Sequence, residues 1–184
     1  MAQLGWKYDV VKCVGCHACA VACKAENNTY PQESPLVIKN SDLAEQVSYR
    51  QVITREIDKE GEVPFISMAC NHCLNPACQA SCPVDAISKD ADDGIVLIDQ
   101  DKCIGCRYCE HTCPYGAPRY NINTKKMEKC TFCYNRVRNG LQPACVDACV
   151  GRALDFQDDA TGPEGTPPEG FASVKLTNPV IAFE

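Results

Sequence analysis

The sequence predicts an α+β, irregular and loop-rich fold organised around bound groups more than around an apolar core, and three observations carry that expectation. Sixteen of the 184 residues are cysteine, about 9 % and close to the level at which cysteine replaces apolar packing as the organising element of a short chain. These cysteines fall into four closely spaced quartets. The chain also repeats itself, so that one cysteine-rich stretch recurs later in the sequence. With cysteine set aside, the apolar fraction of 45 % falls to about 36 %, a thin supply for a core.

The quartets come first. Cys13, Cys16, Cys19 and Cys23 are spaced C-x2-C-x2-C-x3-C; Cys70, Cys73, Cys78 and Cys82 are spaced C-x2-C-x4-C-x3-C and followed by Pro83. Cys103, Cys106, Cys109 and Cys113 repeat the first pattern before Pro114, and Cys130, Cys133, Cys145 and Cys149 form two pairs eleven residues apart. A disulfide framework fits poorly, because four cysteines within eleven residues leave short strained loops. Structural zinc joins two CxxC knuckles some 15–20 residues apart, whereas three cysteines at two-residue spacing surround one small object. C-x2-C-x2-C-x3-C-P is the bacterial ferredoxin run, in which three thiolates hold one iron–sulfur cube and the fourth reaches its neighbour. Four complete quartets therefore predict four [4Fe–4S] clusters, all closed and all electron carriers, with no vacant iron for a substrate.

Next comes the order of the units. DVVKCVGCHAC at 9–19 matches DQDKCIGCRYC at 99–109, aligning Asp9 with Asp99, Lys12 with Lys102 and Gly15 with Gly105. Pro76, Ala77, Cys78, Cys82, Ala86 and Ile87 likewise match Pro143, Ala144, Cys145, Cys149, Ala153 and Leu154, which is the mark of a duplication. Between Cys82 and Cys103 the sequence reads as a strand, an Asp93-Gly94 turn and a second strand from Ile95 to Asp99, a hairpin joining the second and third quartets. Two nested ferredoxin-like units with two clusters each follow: an outer unit of 1–23 plus 114–156 and an inner unit of 70–113. The ferredoxin swap then predicts clusters on Cys13, Cys16, Cys19 and Cys149; on Cys23, Cys130, Cys133 and Cys145; on Cys70, Cys73, Cys78 and Cys113; and on Cys82, Cys103, Cys106 and Cys109. Pairing the first quartet with the second, and the third with the fourth, remains open at this point.

The remaining segments are read by periodicity. Trp6, Tyr8 and Val10 alternate as a strand, and VSYRQVITREI at 47–57 predicts a half-buried hairpin within an insertion over 24–69. Short helices are expected after the fourth cysteine of each quartet. The Pro- and Gly-rich stretch from 157 cannot pack by itself, so 157–184 is expected to be an extended C-terminal arm across a partner.

Charge narrows the function. Eighteen basic and 24 acidic residues give a net −6, which leaves no basic footprint for nucleic acid. Apolar runs such as 95–98 are too short to span a bilayer, and MAQLGWKYDV carries neither a basic n-region nor a twin arginine. Lys12, Lys24, Lys102, Arg107, Lys129, Arg136 and Arg152 each lie within three positions of a cysteine, as expected of cations that offset local negative charge. His17, His72 and His111 lie inside the cluster loops but face complete thiolate sets, so they are expected to be surface residues or hydrogen-bond donors. Tyr108, Tyr115, Tyr120, Phe132 and Tyr134 are expected to pack around the clusters and exclude water. No acid–base pair, phosphate loop, flavin or nicotinamide site is legible.

CVGCHACAVACKAEN, CNHCLNPACQASCP, DKCIGCRYCEHTCPYGAPRYN and KCTFCYNR with PACVDACVGRALDF, followed by TNPVI, resemble the iron–sulfur electron-transfer (beta) subunit of the dimethyl sulfoxide reductase type, in the complex iron–sulfur molybdoenzyme family. The resemblance covers roughly 6–156. It implies a subunit that is not an enzyme by itself and a large partner carrying a molybdenum or tungsten pterin cofactor. It also implies an integral-membrane, quinone-reactive partner and a place peripheral to the cytoplasmic membrane. Co-export with the catalytic subunit favours the periplasmic side. Val150 stands where a proline often follows the last cysteine, and the C-terminal membrane helix of formate dehydrogenase relatives is missing. A soluble molybdoenzyme heterodimer, a freestanding polyferredoxin and a zinc module are the competing readings.

Overall fold

The computed structural model describes residues 3–29, 47–54 and 65–184. Its secondary structure is mixed, short and linked by long irregular loops, in keeping with the expected α+β class. The strand β1 (Gly5–Tyr8) buries Trp6 and Tyr8 on one face, and Val10 falls in the turn that follows. It is the central strand of a three-stranded sheet, antiparallel to β8 (Leu154–Gln157) and parallel to β9 (Ile181–Phe183). The beginning, the last cysteine loop and the end of the chain are thereby tied together.

Among the described residues, three antiparallel strand pairs complete the β structure. They are β2 (Gln51–Thr54) with β3 (Phe65–Met68), β4 (Ile87–Lys89) with β5 (Val96–Ile98), and β6 (Arg119–Asn121) with β7 (Lys126–Glu128). The first is the hairpin expected in the insertion; residues 55–57 of its first expected strand lie outside the described residues. The second is the hairpin expected between Cys82 and Cys103. It also divides the interior, because successive side chains of a strand point opposite ways. Ile95 enters the larger apolar cluster, with Trp6, Ile66, Phe132 and Leu154, while Val96 enters a smaller one with Ile87, Met127 and Cys103.

The helices fall elsewhere than expected. α1 (Ala18–Glu26), α2 (Ala77–Ala80), α3 (Tyr108–Thr112) and α5 (Ala144–Asp147) each contain the third cysteine of a quartet, and α4 (Tyr134–Val137) begins after Cys133. Among the described residues no helix follows the fourth cysteine of a quartet, where the sequence suggested one. Proline supplies the reason at Cys113, which is extended (ψ 115°) because Pro114 disfavours helical geometry in the residue before it. α1 packs on α5 and α2 packs on α3.

The segment 157–184, expected to be an arm across a partner, also makes contacts with its own chain. Leu74 and Asn75 donate to the carbonyls of Asn178 and Thr177, Val180 donates to Asn71, and Val180 to Phe183 are buried. A proline-rich stretch that cannot pack by itself gains its order here from β1 and the second cysteine loop.

Candidate iron–sulfur cluster sites

Each cysteine loop is built on residues in the left-handed region. Gly15 and His17 (φ 66° and 60°) shape the first loop, His72 (φ 43°) the second, Gly105 and Arg107 (φ 68° and 67°) the third, and Phe132 and Cys133 (φ 58° and 49°) the fourth. A single left-handed residue reverses the chain and turns successive N–H groups toward the concave side, where an anionic group can sit. Backbone N–H groups already point at sulfur, one from a loop itself and two from beyond it: Phe132 N donates to Cys130 Sγ (3.3 Å), Ala86 N to Cys82 Sγ (3.2 Å) and Met127 N of β7 to Cys103 Sγ (3.4 Å). A bulky, fully buried Phe132 held at positive φ is strained and stays there because the core is packed around it.

The loops bring the thiols together in fours. Cys70, Cys73, Cys78 and Cys113 line one cavity; Cys13, Cys16, Cys19 and Cys149 line a second; Cys82, Cys103, Cys106 and Cys109 line a third. Cys23 has Cys145 and Cys133 as electrostatic neighbours, and Cys130 has Cys23 and Cys145, so these four are also gathered. The groups adjoin: Cys145 is an electrostatic neighbour of Cys19, and Cys70 of Cys130. All sixteen cysteines are free. Among the described residues no three Cys, His, Asp or Glu side chains are grouped so that they could hold a single metal ion. Four sulfur donors spread around a cavity suit a polynuclear iron–sulfur group, whose irons each take one thiolate.

Comparison with known proteins agrees. Residues 62–159 match the family described as a 4Fe-4S dicluster domain. The sequence is 38 % identical over 167 residues to the B polypeptide of anaerobic dimethyl sulfoxide reductase from Haemophilus influenzae, covering 85 % of this chain and 74 % of that one. It is 40 % identical over 164 residues to the protein of the same name from Escherichia coli, covering 84 % and 73 %. This chain therefore belongs to the iron–sulfur electron-transfer subunits of the dimethyl sulfoxide reductase type. The B polypeptide of tetrathionate reductase from Salmonella typhimurium is 41 % identical over 150 residues, 82 % of this chain and 56 % of that one. As one of these iron–sulfur subunits, the chain carries [4Fe–4S] clusters and serves electron transfer in an oxidoreductase complex rather than its catalysis.

The electrostatics of the iron–sulfur subunit explain what holds the thiols as donors. Burial pushes Cys23 and Cys78 up to about 12 and Cys73 and Cys109 up to about 11, and Cys130 well above the ordinary thiol range. Unaided, these thiols stay protonated near neutral pH, so ligation must displace protons. The cations expected to compensate divide into two groups. Lys12, Lys102, Arg107 and Arg136 are paired with Asp9, Asp99, Glu110 and both Glu26 and Asp147, and Arg152 is exposed. Such surface pairs do little for a buried charge.

Lys24 and Lys129 are buried: Lys24 Nζ donates to Val47 O (3.0 Å), and Lys129 Nζ to Val96 O and Cys130 O (2.9 Å). Lys129 also lines the Cys70 cavity. A third buried cation, Arg50, has no cysteine beside it in sequence, and sequence reasoning missed it.

The histidines and aromatics also sort by burial. His17 and His111 are exposed, as expected, but His72 is core and its Nδ1 accepts from Val96 N (2.9 Å). Burial, then the nearby lysines, holds it well below the ordinary imidazole range. Phe132 stacks on Trp6 (4.0 Å between centroids) and meets the His72 ring edge-on, so this column packs the second cysteine loop against the fourth. Tyr108 is exposed and does not exclude water. Tyr115 is half-buried, and its hydroxyl contacts Thr177 (3.0 Å).

Proposed function

We propose that the chain relays single electrons through four [4Fe–4S] clusters between a molybdenum- or tungsten-pterin catalytic subunit and a quinone-linked membrane subunit. The observation that carries this reading is the convergence of the thiols in fours, with Cys19 and Cys145 electrostatic neighbours, Cys130 and Cys70 likewise, and Cys78 in one apolar cluster with Cys103 and Cys109. The proposed ligand sets are Cys13, Cys16, Cys19 and Cys149; Cys23, Cys130, Cys133 and Cys145; Cys70, Cys73, Cys78 and Cys113; and Cys82, Cys103, Cys106 and Cys109. When bound, the clusters supply reversible acceptance of one electron each. The residues do the rest: thiolates hold, loop N–H groups offset sulfide charge, and the Trp6–Phe132–His72 column keeps water out.

Nesting of an outer unit (1–23 with 114–156) around an inner one (70–113) is supported by the packing of α1 on α5 and of α2 on α3. Docking at both ends is supported by apolar side chains left in water. Val14 shares a cavity with the exposed Cys16, the exposed Val11 and Val150 lie within two positions of Cys13 and Cys149 in sequence, and Ile104 and Tyr108 lie within two positions of the exposed Cys106. Exposed apolar groups around a functional residue are the mark of an interface. No helix among the described residues is long and apolar enough to cross a membrane, so attachment is proposed through the membrane subunit, on the periplasmic side by co-export.

The test is anaerobic affinity purification from the native host, with partner masses and iron, molybdenum and tungsten counted. The relay predicts about sixteen irons on this chain, a large pterin-metal partner and a membrane subunit; a lone brown protein of the same iron content is the freestanding carrier instead. In the assembled complex, Cys103→Ser is expected to abolish quinol-linked turnover while artificial-donor turnover of the catalytic partner persists. Unchanged quinol-linked turnover would overturn the relay.

A further inference from the structure

Arg50, just ahead of β2, is 2 % exposed. Its guanidinium lies 4.5 Å from the centroid of the Trp6 ring, and Nη1 donates to Ser67 O (3.2 Å) and Ser67 Oγ (3.0 Å). Ser67 Oγ, an acceptor from Arg50, keeps its own proton to donate, and it lies 3.3 Å from Cys19 Sγ. Nε and Nη2 are buried with no hydrogen-bond partner among the described residues. No carboxylate pairs with Arg50 among the described residues. Its electrostatic neighbours are instead Cys145, Cys130, Cys19 and Cys23. A buried guanidinium without a counter-charge is strongly unfavourable. Among the described residues the candidates for the counter-charge are thiolates of two neighbouring groups, Cys19 in one and Cys23, Cys130 and Cys145 in the other.

We propose that Arg50 is a positioning and charge-setting residue shared by two cluster sites: Nε and Nη2 donate to sulfur of the bound groups, Nη1 orients Ser67 toward Cys19, and the fixed positive charge raises the reduction potential of both. The assignment rests on the four-cluster reading. Its sign follows from charge: a nearby cation favours the form that holds one more electron, so its removal lowers the potential. The effect is local. The sites of Cys70, Cys73, Cys78 and Cys113 and of Cys82, Cys103, Cys106 and Cys109 have Lys129 and Lys126 nearby instead, Lys126 Nζ donating to Cys103 O.

The experiment is a redox titration followed by electron paramagnetic resonance on the purified complex, with iron counted in the same samples. Arg50→Met, which keeps length and removes charge, is expected to lower two of four midpoint potentials by at least a tenfold change in the reduction equilibrium, ~59 mV for one electron, while two stay put. Arg50→Lys is expected to recover most of that shift, and Ser67→Ala to lower one potential by a smaller amount. Sixteen irons with four unchanged potentials in Arg50→Met would reduce Arg50 to packing and overturn the assignment. Should Arg50→Met lose iron, unchanged potentials in Ser67→Ala together with a full shift in Arg50→Lys would overturn it equally. Fewer than four clusters in the wild-type chain would overturn the relay reading beneath it, a separate and recognisable failure.

Discussion

The loops at 9–26 and 99–113 are two copies of one device set in different surroundings. Locally they agree closely. Asp9 Oδ1 accepts from the N–H groups of Val11 and Lys12 (3.0 and 3.0 Å), and Asp99 Oδ1 from those of Asp101 and Lys102 (2.9 and 3.3 Å). A left-handed glycine follows in each, then a left-handed residue that starts a helix, and the second cysteine is left exposed in both. Beyond the loop they part. α1 runs nine residues and carries Cys23 within it, whereas α3 stops after five because Pro114 follows Cys113. Each loop is closed by a hairpin from elsewhere: Phe65 of β3 sits over Gly15, and the Lys125 carbonyl beside β7 sits over Gly105. Local geometry was inherited by duplication; the cover was supplied twice, by unrelated segments.

The comparison can be broken first at the glycines. A Cβ on Gly105 would lie 2.2 Å from the Lys125 carbonyl oxygen, and one on Gly15 2.4 Å from the Phe65 ring. Both positions need positive φ, but a backbone carbonyl cannot turn aside as a ring can. Gly105→Ala is expected to cost about 3 kcal/mol or more, and Gly15→Ala about 1–2 kcal/mol, read as thermal unfolding of the iron-loaded chain. Equal losses would mean that the two covers are equally stiff.

A middle-sized effect tests what only the first copy has. Tyr8, which aligns with Ile98, donates to Phe65 O (2.5 Å) and accepts from Ser67 N (3.2 Å). Tyr8→Phe leaves the Ser67 N–H without its acceptor and is expected to cost about 1–3 kcal/mol. Hydrogen exchange should quicken at β3 and not at the third loop.

The smallest effect probes what the copies share. The Lys12 ammonium, then the Lys12 N–H, holds Asp9 below the usual carboxylate range; the Lys102 and Asp101 N–H groups do the same for Asp99. Because both values are depressed in the folded chain, their stabilisation is complete above the unfolded carboxylate value, about 3.9, and is lost as pH falls through the folded values. Asp9→Asn and Asp99→Asn are therefore each expected to flatten the acid limb of the unfolding curve slightly and alike. A change confined to one of them would show that its lysine, and not the shared turn, matters.

Much of this was legible because it is local. Cysteine spacing declares a cluster loop, Gly15 and Gly105 declare its left-handed turn, and Asp93-Gly94 declares the β4–β5 hairpin. The helices were misplaced because their ends depend on Pro114 and on the left-handed His17 and Arg107, which carry no ordinary capping signal. The packing of the tail on its own chain was not legible, because Pro and Gly hide the buried run from Val180 to Phe183, whose partner β1 is more than 170 residues away. Arg50 carried no signal at all, since a charged residue in an alternating stretch reads as solvated.

The sequence by itself determined the cysteines, their spacing and the turn of each loop around them, because a C-x2-C turn is settled by residues in contact along the chain. Only the tertiary structure decided which cations are buried near the thiols and which are spent on surface carboxylates, and where the two termini lie. Those outcomes depend on desolvation and on packing between distant segments, and neither is written in spacing.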